Sequence, residues 1–230
     1  MSIATGLTVE THGGMRFAVR GEYDSSVCNE VAVKRCYERP RLGFGVRSGE
    51  TWLDCGANIG VFAVWAERKH NARVIGYEAC KENTSLATKN LEMNRCRSTV
   101  RTAFVAARSR GLTSVNFNPR TPARSSAKAK GSQRFVPNVS LAEEIKDHCP
   151  QGLKIDIEGG EFELLDSGIP LAGIRALAIE YHFRFDKDCV KARKRIAPLV
   201  SHFSHNSIPK TVFTHDRWPA WQDAIMFFWS

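Results

Sequence analysis

No stretch of this 230-residue sequence approaches the ~18 consecutive apolar residues of a membrane-spanning helix. The opening MSIATGLTVE carries neither a basic n-region nor an apolar core, so a soluble, unexported, cytoplasmic protein is expected. Cysteine offers no framework either. The seven cysteines are odd in number and scattered, with no C-x-x-C pair, which excludes a disulfide scaffold and a zinc knuckle and leaves them as small buried hydrophobes in a reducing compartment. Acids are absent between Arg95 and Arg134, where ten basic residues stand; outside that segment 23 basic residues face 24 acidic ones. The whole net charge of +9 therefore belongs to one segment rather than to the chain at large.

What is present begins with TWLDCGANIGVF at residues 51–62. A short apolar run ends in Asp54, passes through Gly56, Asn58 and Gly60, and re-enters an apolar run: strand, glycine turn, helix. Glycines permit positive φ and close backbone approach to a ligand, and a helix start presents unpaired N–H groups. About twenty residues on, RVIGYE supplies a second strand ending in Glu78, an acid placed to take the two hydroxyls of a ribose. The turn is D-x-G-x-N-x-G, not the G-x-G-x-x-G of dinucleotide sites, and it lacks the Lys-Ser/Thr of a P-loop. A nucleoside without a phosphate chain fits better, and S-adenosylmethionine is one, with Asp54 and the turn toward its amino-acid end.

Read in order, LTVETHGGMRFAVRG predicts a hairpin turning at Gly13-Gly14, and residues 28–37 have helical spacing. Together, residues 1–47 form a cap ahead of a single domain over 48–230, consistent with a 43% hydrophobic chain of this length. Helices are expected over 59–69 and 81–93, with a third strand over 100–106. Residues 108–135 lose all periodicity, as a solvated flap or a substrate-contacting loop, with one short strand at 114–117. Ser140 and Glu143 suggest a capping box for a helix over 141–147. GLKIDIEG is the fourth core strand, 161–167 its helix and 175–182 the fifth strand. A basic helix over 187–203 follows, and TVFTH and AIMFFWS are the last two strands. Alternating strands and helices predict an α/β protein with a mainly parallel sheet covered on both faces.

Charge inside core strands marks the chemistry. Lys154, Asp156 and Glu158 share one face of a strand that ought to be apolar, at the carboxyl end where ligands of open α/β sheets bind. Glu180 and His182 repeat the arrangement on the fifth strand. Two readings stay open. Asp156 or His182 takes a proton from an attacking hydroxyl, or Asp156, Glu180 and His182 hold a divalent metal, Mg²⁺ or Mn²⁺, that lowers the hydroxyl's pKa. A bare structural ion pair between Lys154 and an acid competes with both.

LDCGANIGVFAVWA, VIGYEACKEN and LKIDIEGGEFELL, in that order, resemble the three central motifs of the FkbM family of S-adenosylmethionine-dependent methyltransferases. The resemblance runs over roughly residues 48–181. It implies a Rossmann-like class I methyltransferase fold with a seven-stranded sheet, and O-methylation of a sugar, glycan or other small molecule. The cofactor would be held by Asp54, Gly56, Asn58, Gly60, Glu78, Ala106 and Asp156, with Asp156, His182 and Glu158 as catalytic groups. The basic segment adds an anionic acceptor, such as a nucleotide-sugar, as an expectation. Methylation of RNA ribose is a second reading, weakened by an aromatic content of three phenylalanines across residues 95–135. A non-catalytic binding module of the same fold is a third.

Overall fold

The computed structural model describes residues 6–109, 111–117, 132–219 and 223–230. Seven strands form one sheet: β3 (Thr51–Cys55), β4 (Arg73–Glu78), β5 (Thr99–Thr102), β9 (Gly152–Ile155), β10 (Ala176–Tyr181), β11 (His205–Ser207) and β12 (Ala224–Trp229), in the spatial order β11-β12-β10-β9-β3-β4-β5. Strands β5, β4, β3, β9 and β10 are parallel, and β12 runs antiparallel to both β10 and β11. The chain winds one way from β3 to β5 and the other way from β9 to β10. The reversal opens a crevice at the carboxyl ends of β3 and β9.

Period-two alternation sorts each strand between two cores. Trp52, Val74, Ala176, Ala178, Phe227 and Trp229 face α2 (Val61–His70) and α3 (Lys81–Met93), whereas Leu53, Ile75, Leu177, Ile179, Met226 and Phe228 face the opposite core. That second layer holds α4 (Leu141–His148), α5 (Glu161–Ser167), α6 (Cys189–His202) and α7 (Thr211–Thr214). Gly152 pairs in register with Trp52, and a Cβ there would lie 2.0 Å from the indole. Glycine is therefore what lets a buried tryptophan lie across the neighbouring strand.

Residues 6–47 pack on the α2–α3 face. β1 (Thr8–His12) and β2 (Met15–Val19) form the expected hairpin, with His12 opposite Met15. Its second strand docks on helix side chains rather than on the sheet. Asn90 of α3, fully buried, accepts from the Ala18 N–H at 2.7 Å and donates to the Ile59 carbonyl at 2.9 Å, while Asn94 bonds both backbone groups of Arg16. A helical segment follows earlier than its spacing predicts: α1 (Glu22–Cys28) continues into a π-helical turn, Asn29–Val33, and the chain leaves it at Arg35, whose φ is 56°. π-helical turns are rare and gather at functional sites. This one delivers Cys36 and Tyr37 toward the crevice.

Four further expectations are corrected. The strand over 100–106 is two strands. The Ala103 N–H makes the last bond to the main sheet, to the Glu78 carbonyl at 3.0 Å, and β6 (Phe104–Ala106) then leaves it to pair with β8 (Ser132–Ser140). The aperiodic stretch supplies more strand than 114–117 alone: β7 (Leu112–Phe117) pairs antiparallel with β8, and β6-β8-β7 make a small second sheet. The remainder of that stretch, with Arg110, Arg120, Arg124, Lys128 and Lys130, lies outside the described residues. Ser140 does sit at the N-cap of α4, but its hydroxyl makes no capping bond and faces the Ala107 carbonyl at 3.4 Å. TVFTH is the helix α7, and the edge strand is β11, because Val212 is needed as an apolar anchor under α6.

A buried polar cluster locks the amino-terminal ends of β3 and β10. The Glu50 carboxylate accepts from Arg175 at 2.6 and 2.9 Å, from the Trp52 indole at 3.0 Å and from the Arg47 N–H at 2.9 Å. Burial alone would raise its pKa, but these donors hold it below the usual carboxylate value. A depressed folded pKa contributes stability that is present above the unfolded value of ~4.3 and lost as pH falls through the folded one. Replacing Glu50 by Gln should therefore cost about 3 kcal/mol in urea denaturation at pH 7. The gap between the two proteins should close as the pH is lowered below ~4.

Candidate active site

The crevice holds a cavity of about 460 Å³, within the range of small-molecule sites. One wall is the glycine turn and Glu78; the opposite wall is the end of β9 with Glu180 and His182. Tyr37 and other residues of the first 47 close the side.

Beneath the floor lies a buried ion pair. Asp54 and Lys154 are register neighbours on β3 and β9, and Ala178 beside them on β10 leaves room for the lysine. The Lys154 ammonium donates to Asp54 Oδ1 at 2.8 Å and to the Gly56 carbonyl at 3.1 Å, with both side chains almost wholly buried. Burial opposes its charge, yet Asp54 and Asp156 push the lysine pKa up. Asp54 does not line the cavity; its Oδ1 is held by Lys154, while its Oδ2 is buried without a hydrogen-bond partner among the described residues.

Gly56 and Asn58 do line the cavity. Gly56, at φ 89°, has a structural cause beyond ligand access, because a Cβ there would sit 1.8 Å from the Asp156 carbonyl oxygen. Asn58 has φ 50°, and its N–H donates to Glu78 Oε2 at 2.9 Å. Its side-chain Oδ1 is buried without a partner. Cys80 N–H donates to Glu78 Oε1 at 2.8 Å. Burial raises the Glu78 pKa, and these two N–H donors counter it, so backbone geometry fixes the carboxylate at the cavity wall. Gly60 and Ala106 are not on the wall. Gly60 packs against Ala87 of α3, and Ala103, Phe104 and Val105 line the cavity where Ala106 was expected.

At the other end the charged groups converge. β9 stops at Ile155, so Asp156 and Glu158 lie beyond the strand, and Glu158 reaches the site from a left-handed backbone at φ 51°. Asp156 Oδ2 accepts from the Tyr37 hydroxyl at 3.1 Å and faces Lys154 at 3.7 Å, and its Oδ1 faces His182 Nε2 at 3.6 Å. Glu158 is paired with Arg184, which also holds Asp223. Behind His182 lies Glu161, wholly buried, which accepts from His182 N–H at 2.9 Å, from its Nδ1 at 3.1 Å and from Gly159 N–H at 2.7 Å. Burial works against the imidazolium, but Glu161, Asp156 and Glu180 lift the His182 pKa to about 9. An imidazole in that state is already protonated at neutrality, so a carboxylate is the better proton acceptor. Burial, with Asp156 adding, raises Glu180 to about 8.

Tyr37, Glu161, Arg184 and Asp223 were not identified from sequence. Glu161 lies in the quoted motif, but its side chain was read only as the start of a helix. Tyr37 lies in a stretch whose conformation no periodicity announces.

A sheet of this order, with β12 antiparallel beside β10, a glycine turn after β3 and an acid ending β4, defines the class I methyltransferase fold. Residues 54–222 match the methyltransferase FkbM domain, and the chain belongs to that family. It is 24% identical over 176 residues to methyltransferase sdnD of Sordaria araneosa, an overlap of 60% of this chain and 66% of that protein, so just under two thirds of the relative is spanned. Similar solved structures include P. horikoshii TYW2 in complex with MeSAdo (12% identity, 98% of this chain, 72% of that one, TM-score 0.49). The M. jannaschii tRNA m1G37 methyltransferase is another (12% identity, 97% and 56%, TM-score 0.47), and this chain spans just over half of it.

Removing one partner of the buried pair should be severe. Lys154→Met, which strands Asp54, should cost about 3–5 kcal/mol in chemical denaturation, and adding Asp54→Leu should recover part of the loss. Equal stability of the single variant and the parent would show the pair to be dispensable.

Proposed function

We propose that the protein transfers a methyl group from S-adenosylmethionine to a hydroxyl of a sugar, glycan or other small molecule. One observation carries the reading: a single cavity joins a nucleoside-type wall, Glu78 beside the unpartnered Asn58 Oδ1, to a cluster of acids and a histidine. The residues present fit the cofactor. Glu78 would take the ribose hydroxyls, and Asn58 Oδ1, a buried acceptor with no donor, has an unmet hydrogen bond for it. Gly56 would lie beside it. When bound, the cofactor supplies an electrophilic methyl on a sulfonium.

The chain's own residues then have two tasks, alignment and removal of the acceptor's proton. Asp156 Oδ1 is the oxygen for the second, since Tyr37 and Lys154 occupy Oδ2. His182, held cationic, and Glu158, held by Arg184, frame that position. A divalent metal, Mg²⁺ or Mn²⁺, on Asp156, Glu180 and His182 would serve the same end by acidifying the hydroxyl. The described wall is rich in acids, and its Lys154 and Arg184 are already paired. That balance favours a neutral hydroxyl acceptor over an anionic one. Among the described residues no helix is long and apolar enough to cross a membrane.

Labelled cofactor offered with free sugars, nucleotide-sugars, glycans and RNA tests the reading; labelling confined to RNA would overturn it. Glu78→Ala should weaken S-adenosylhomocysteine binding by roughly tenfold or more in calorimetry. Asp156→Asn should retain that binding while turnover on the best acceptor falls about 10²–10⁴-fold. A near-normal kcat in the folded Asp156→Asn protein would remove the carboxylate from the chemistry.

A further inference from the structure

We infer that Asp156, Glu180 and His182 form a divalent-cation site, pre-shaped by two residues that would not touch the ion: Glu161 acting through His182, and Tyr37 acting through Asp156. The inference extends the proposed function and rests on it only for the use made of the ion. One ligand atom from each of the three residues falls within 4.8 Å of the others, close enough for one ion to reach all three.

Three features distinguish this from a chance meeting of acids. Among the described residues the Glu180 carboxylate makes no hydrogen bond and no ion pair, although it is largely buried and lines the cavity beside another carboxylate. A carboxyl in that position gives up its proton only beside a cation. Next, His182 Nδ1 is committed to Glu161, which is wholly buried and spends its other oxygen on the Gly159 N–H. That leaves Nε2 facing Asp156 Oδ1 at 3.6 Å and Glu158 Oε2 at 3.7 Å; an ion there would displace the Nε2 proton, with Glu161 fixing the tautomer and orientation of the ligating imidazole. Finally, the Tyr37 hydroxyl and Lys154 engage Asp156 Oδ2, so Oδ1 is the oxygen left for the ion.

Glu158 stays outside the set because Arg184 holds it. Two carboxylates and one imidazole suit Mn²⁺ or Mg²⁺ better than a thiolate-seeking ion, and three protein ligands leave coordination positions for a hydroxyl. Tyr37 precedes the stretch that matches the FkbM domain, so part of the site's geometry is supplied from outside the family's common segment.

The test needs no acceptor. Mn²⁺ is titrated into the full chain, with and without S-adenosylhomocysteine, and free ion is followed by electron paramagnetic resonance alongside calorimetry. One equivalent should bind, and Glu180→Gln should abolish it. Glu161→Gln and Tyr37→Phe, both near-isosteric, should keep the stoichiometry and weaken affinity about 10–100-fold. No binding to the parent, or binding indifferent to Glu180→Gln, overturns the site. Parent-like affinity in both Glu161→Gln and Tyr37→Phe overturns the positioning roles. Affinity for S-adenosylhomocysteine, measured in the same samples, reports separately on the methyltransferase reading: its absence beside intact Mn²⁺ binding would fell that reading and leave the cation site standing.

Discussion

The Lys154–Asp54 pair is the constraint on which the site's geometry depends. Two charges under the middle of a parallel sheet are expensive, and they persist only because the ammonium has two good acceptors, one of them the backbone of the glycine turn. Through that second bond the pair ties the end of β9 to the turn after β3, the two edges of the crevice. The same ammonium stands 3.7 Å from Asp156, so a cation that stabilises the fold also sets the charge balance of the cavity above it.

Above that floor the acids are told apart by their partners. Glu161 is spent on structure and Glu158 on Arg184, while two backbone N–H groups fix the orientation of Glu78. Asp156 keeps one oxygen free of hydrogen bonds, and Glu180 keeps both. Chemistry is left to the carboxylates whose hydrogen-bonding capacity is not exhausted. A count of acids in the sequence cannot reveal that division, because each partner comes from a different part of the chain.

Much of the frame was legible because it rests on local rules. Alternating apolar residues placed β3, β4, β9, β10 and β12, the Gly13-Gly14 pair placed the hairpin, and D-x-G-x-N-x-G placed the turn with Glu78 after it. Asp156, Glu180 and His182 were found because charge in a core strand violates the expected pattern. Failures came where non-local contacts decide. Nothing near Asp54 in sequence reports that Lys154, a hundred residues away, holds one of its oxygens. Residues 100–106 read as one strand because nothing local reports that Phe104 to Ala106 pair with β8, more than thirty residues on, instead of with β4. Nor does anything local to His182 report Glu161, buried behind it and bonded to both its backbone N–H and its Nδ1.

Asn90 has a consequence for motion. A single buried amide spans the backbone of Ala18 in the hairpin and of Ile59 beside the glycine turn. The two segments therefore share one buried side chain: peeling the hairpin away would strand the Asn90 carbonyl oxygen, and moving the turn would leave its amide N–H short of an acceptor. Ile59 lies some forty residues downstream of Ala18, so one amide on a third element joins two segments that the chain itself keeps apart.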